Sequence, residues 1–155
     1  MLIDSPKYFA LLKQFSTEDY PLPPGGTTDR LITAKRYQVS GPQSDLYFST
    51  TYLEIDVALD SAKQWQGYWL EGHRRGDAAQ KAAAQRALDA AARWQVLILW
   101  SEDDGKSHRE VADAARRGDV RWMAEDYAPY TTPIPAFTWP NPDLQKLRSA
   151  TRAPR

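Results

Sequence analysis

The stretch Trp94-Gln95-Val96-Leu97-Ile98-Leu99-Trp100 is the most apolar run of the chain. It is short, rich in β-forming side chains and closed by tryptophan at both ends. An acidic turn, Ser101-Glu102-Asp103-Asp104-Gly105, follows at once. A run this brief is short for a helix, and unbroken apolar character without alternation is the pattern of a strand buried on both faces. A central strand is therefore expected here.

The flanking sequence is read outward from that strand. Residues 30–40 and 46–57 bracket Gly41-Pro42-Gln43-Ser44-Asp45, which predicts an antiparallel hairpin. Leu31, Thr33, Tyr37 and Val39 share one face of the first strand. In the second, Leu46 and Phe48 fall on one parity and Leu53, Ile55 and Val57 on the other, so a bulge is expected near Ser49-Thr50-Thr51. Asp60 is positioned to cap a helix carrying Trp65, Tyr68 and Trp69, weakened at Gly67 and ended near Gly72. Asp77 caps an alanine-rich helix running to about Arg93. Beyond the central run a helix starts at Lys106 or Ser107 and ends at Gly118, and residues 120–124 read as a last strand. The fold class these readings add up to is α+β: a small mixed sheet built on the hairpin and the buried strand, with helices packed on one face.

Arg-Arg-Gly-Asp occurs twice, at residues 74–77 and 116–119. Basic residues in a last helical turn, a glycine beyond it and an aspartate that restarts the chain account for both copies. At the N-terminus, Ser5-Pro6 is a hydroxyl cap followed by proline at the first helical position. Tyr8, Leu11, Leu12 and Phe15 then recur at helical spacing. Residues 20–26, rich in proline and glycine, read as a flexible connector. At the other end, Pro129, Pro133, Pro135, Pro140 and Pro142 are interleaved with Tyr130, Ile134, Phe137 and Trp139. Proline at that density forbids helix and inner strand, so an extended arm is expected, followed by a basic tail. The resulting division is residues 1–26, a single domain over 27–127, and an arm and tail over 128–155.

Composition narrows the function classes. The chain has 155 residues, with 20 basic and 20 acidic side chains. Such a balance lacks the positive field of a non-specific nucleic-acid binder, and nucleic acid is not expected as a partner. The absence of cysteine removes disulfides, thiolate metal sites and cysteine nucleophiles. Neither a signal peptide nor a membrane span is read from the sequence, so a cytoplasmic location, or one within an assembled particle, is expected.

Candidate chemistry centres on the acidic turn. Glu102, Asp103, Asp104 and His108 would gather beyond the end of the central strand, where oxygen ligands and an imidazole suit a hydrated divalent metal. A second acidic pair, Glu125-Asp126, could complete such a site. Against this, Asp-Gly turns and acidic helix starts are common structural features. The segment ending Gly105-Lys106-Ser107 also fails as a phosphate loop, because Trp100 stands where the first glycine belongs. No catalytic residue and no cofactor is assigned.

The preferred reading is a non-catalytic protein–protein interaction or structural subunit of a larger assembly, with a bacteriophage connector or tail component as one example. The partner is protein, either another copy or another subunit. Its contact residues are expected to be Tyr8, Leu12, Phe15, Tyr130, Ile134, Phe137 and Trp139. The alternatives are a metal-dependent hydrolase or nuclease using Glu102, Asp103, Asp104 and His108, and an immunity or antitoxin protein.

Overall fold

The computed structural model describes residues 1–38 and 49–131. Among these residues there is no strand; the architecture is helical throughout, and the expected α+β fold is corrected to all-α. The helices are α1 (Pro6–Gln14), α2 (Asp29–Gln38), α3 (Thr50–Arg75), α4 (Ala78–Ala91), α5 (Gln95–Leu99), α6 (Lys106–Arg117) and α7 (Val120–Tyr127). A π-turn, Phe15–Asp19, extends α1, and a 3₁₀ turn, Ala128–Thr131, follows α7.

The spine is α3, 26 residues long and so spanning about 39 Å. It begins where the bulge was expected. Ser49 caps it by accepting the backbone N–H of Tyr52, and the helix runs straight through Asp60, Gly67 and Gly72. Leu53 and Val57, which fit an alternating strand, are also four apart. That spacing puts both on one helical face, where both are buried. The first hairpin strand is instead α2. Its charges suit a helix, with Asp29 in the first turn and Lys35 and Arg36 in the last. Arg36 pairs with Asp4 at 3.0 Å, and Lys35 pairs with Asp56 of α3. The predicted hairpin loop, 41–45, lies outside the described residues.

The N-terminal half of α3 shares a core with the start of the chain and with α5, through Ile3, Tyr8, Leu12, Phe15, Leu53, Val57 and Leu97. Its C-terminal half packs with α4, α6 and α7 around Trp69, Leu88, Val111 and Met123. Alanines at 84, 91, 112, 114 and 115 are buried between α3, α4 and α6, and their small side chains let these helices approach closely. The connector is held against α3. The Pro21 carbonyl accepts from Ser61 Oγ at 3.0 Å and from Trp65 Nε1 at 2.7 Å, and Gln64 exchanges two hydrogen bonds with the Thr27 backbone.

Both Arg-Arg-Gly-Asp copies form helix corners, as the sequence implies. Gly76 and Gly118 adopt φ of 66° and 68°, and Asp77 and Asp119 cap α4 and α7 by accepting backbone N–H groups of Gln80 and Trp122. The expected last strand, 120–124, is thereby the first part of α7. The apolar run at 94–100 is the short α5, reached by a tight turn in which the N–H groups of Arg93 and Trp94 bond to carbonyls of Ala90 and Ala91. Only Val96 and Leu97 of the run are buried. No helix among the described residues is long and apolar enough to cross a membrane.

Candidate functional site

Two features of the surface stand out. The first comes from α5. Because it is a helix, it turns its last residues outward: Leu99 is 72 % and Trp100 58 % exposed. The Trp100 ring lies 6.4 Å from that of Tyr52 on α3, itself 58 % exposed. Leu59, two turns further along the same face of α3, is 41 % exposed. An exposed aromatic pair, Tyr52 and Trp100, thus stands beside the exposed Leu99, with Leu59 further along α3. Trp and Tyr at the surface are the side chains most enriched at protein interfaces.

The second feature is a cleft of about 370 Å³ bounded by α3, α4, α6 and α7. Its walls are Leu59, Ala62, Leu88, Ala91 and Val111, and its polar end is built from Lys63, Gln66, Ser107, His108 and Asp126. Lys63 Nζ donates to Asp126 Oδ2 at 2.8 Å, to the Asp126 carbonyl at 3.3 Å and to Gln66 Oε1 at 3.2 Å. Gln66, 1 % exposed, donates in turn to Asp126 Oδ2 and to the Met123 carbonyl, each at 3.0 Å. This network ties α3 to α7. His108 projects from the first turn of α6. Burial pushes its imidazole below the ordinary histidine range. The nearby Asp103 acts upward, Lys63 downward and Asp126 upward, and the net effect leaves the ring neutral near pH 7.

The residues singled out in the sequence are distributed as follows. Tyr8, Leu12 and Phe15, expected at a partner surface, are buried in the chain's own core. Tyr130 donates its hydroxyl to Asp60 Oδ1 at 2.6 Å, and the Arg30 guanidinium lies 4.6 Å over its ring, so it is held within the molecule. Burial raises the Asp60 carboxyl, outweighing the hydrogen bonds from Tyr130 and Gln64 that favour its charge. Ile134, Phe137 and Trp139 lie outside the described residues. Glu102, Asp103 and Asp104 are exposed, and the two aspartates serve the turn into α6. Asp103 Oδ2 accepts the Ser107 N–H at 3.0 Å, and Asp104, at φ 54°, offers its carbonyl to Arg109. Among the described residues no group of three or more His, Asp or Glu side chains is placed to hold a metal ion. Of the second acidic pair, Glu125 pairs with Arg121 at 3.0 Å, while Asp126 joins His108 in the cleft.

The sequence singles out His108 and Asp126 only as members of a possible metal site, and it does not single out Lys63, Gln66 or the apolar face. Lys63 and Gln66 are three apart and so share a helical face, a signal that was present but carried no partner. A strand buried on both faces would enclose Leu99 and Trp100, whereas the short helix leaves them exposed. The sequence matches no family model, and it matches no curated protein and no solved structure.

Proposed function

We propose that the protein is a non-catalytic interaction subunit that docks on another protein chain through the face formed by Tyr52, Leu59, Leu99 and Trp100. One observation carries this reading. Two consecutive large apolar residues at the end of α5 are left in water beside an exposed tyrosine, although the chain has ample core elsewhere. Scattered single apolar residues are ordinary on a surface, whereas a contiguous aromatic and aliphatic group marks a contact site. The balanced charge of the chain fits a contact driven by apolar burial rather than by a long-range field.

The test is affinity capture from the source cells with the parent chain and with the double variant Leu99→Ser/Trp100→Ser, each first shown to be folded by circular dichroism. A protein retained by the parent and lost with the variant is the expected result. Identical sets of retained proteins, or none with either chain, would remove the proposal.

A further inference from the structure

We propose that the cleft between α3, α4, α6 and α7 is a binding site for a small, uncharged, largely apolar molecule that carries one hydrogen-bond donor, such as a phenol. The three N–H bonds of Lys63 are all engaged, by Gln66 Oε1, the Asp126 carbonyl and Asp126 Oδ2. The ammonium is therefore not presented to a ligand as a donor. Asp126 accepts through Oδ2, and among the described residues no hydrogen bond reaches its Oδ1 or the imidazole of His108. The neutral ring has one acceptor and one donor nitrogen, and the carboxylate accepts only. The complement of that set is a donor.

Charge points the same way. A ligand anion would meet Asp126, and a ligand cation would meet Lys63, 2.8 Å from it. Neither sign finds an uncompensated partner in an apolar cleft, where an unpaired charge is costly. The remaining wall is aliphatic, from α3, α4 and α6, and at about 370 Å³ the volume falls at the small end of ligand pockets. A mono- or bicyclic aromatic body with a single hydroxyl or N–H group meets these requirements. This inference is independent of the docking face, sharing with it only Leu59.

The experiment uses three probes with one ring system: 2-naphthol, which carries the donor, naphthalene, which lacks it, and 2-naphthoate, which is an anion. Each is titrated into the full chain at pH 7.5 and followed by calorimetry and by amide chemical shifts. 2-Naphthol is expected to saturate, moving the signals of His108, Val111 and Asp126. Naphthalene and 2-naphthoate are expected to bind about tenfold more weakly, the factor set by one hydrogen bond. His108→Leu and Asp126→Asn should remove the advantage of 2-naphthol over naphthalene. Both polar variants should still bind naphthalene as the parent does, which guards against loss of fold. The proposal is overturned if 2-naphthol shows no saturable binding, if the three probes bind alike, or if the shifts lie away from the cleft.

Discussion

Gly67 illustrates how single side chains set the geometry of this molecule. A methyl group there would stand 2.6 Å from the Tyr127 hydroxyl and 2.8 Å from Cζ, so the ring of α7 lies directly on the backbone of α3. Gly67→Ala gains helix propensity of about 1 kcal/mol but must push Tyr127 aside, and Tyr127 packs in turn on Tyr130 at 5.5 Å. Overpacking of this kind costs about 1–3 kcal/mol, so a net loss of stability is expected in urea denaturation. Gln66→Leu removes three hydrogen bonds, among them the side-chain donor to the buried Met123 carbonyl. A loss of about 1–3 kcal/mol is expected, measured in the same way. His108 gives a pH signature. Its folded pKa is depressed, so its contribution is fully present above the unfolded value of about 6.5 and is lost as pH falls. Thermal melts between pH 7.5 and 5.5 should show a steeper decline for the parent than for His108→Leu. Equal slopes would mean that the imidazole is not desolvated in the cleft.

Among the elements, those fixed by local chemistry were legible in the sequence, and those fixed by distant packing were not. Ser5-Pro6 starts α1 with the Tyr8 N–H on the Ser5 hydroxyl, and the two Arg-Arg-Gly-Asp corners turn the chain with a left-handed glycine and an aspartate cap. Each needs only residues within a few positions, which is why the sequence reveals it. Asp77→Ala and Asp119→Ala should each cost about 1 kcal/mol in chemical denaturation, the usual worth of a cap. By contrast, Leu53, Ile55 and Val57 satisfy a period of two, while Leu53 and Val57 alone also satisfy the i, i+4 spacing of a helix. The choice was made by the rest of α3, whose Ala58 and Ser61 are buried on the same side. The run at 94–100 is too short to declare itself. It is helical because the turn after α4 delivers it so and because Val96 and Leu97 pack into the core containing Leu53 and Val57. Of the candidate site, His108 and the Glu125-Asp126 pair could be found as titratable groups. Their meeting with Lys63 could not, since it depends on how α3, α6 and α7 are arranged.

At the scale of the molecule, one long helix joins two packed groups, and the surface carries a polar-ended cleft and an exposed apolar face. If that face exists for contact rather than for folding, Leu99→Ser/Trp100→Ser should leave the stability of the isolated chain within about 0.5 kcal/mol of the parent, as exposed substitutions do. A large loss would place these side chains in the core instead. The most direct measurement puts a benzophenone amino acid at position 99 in the source cells, with a second chain labelled at the exposed Arg86 on α4 as control. On irradiation, a discrete protein adduct is expected from position 99 and not from position 86, its mass telling a second copy from a different chain. No adduct from position 99 above that from position 86 would contradict the docking face.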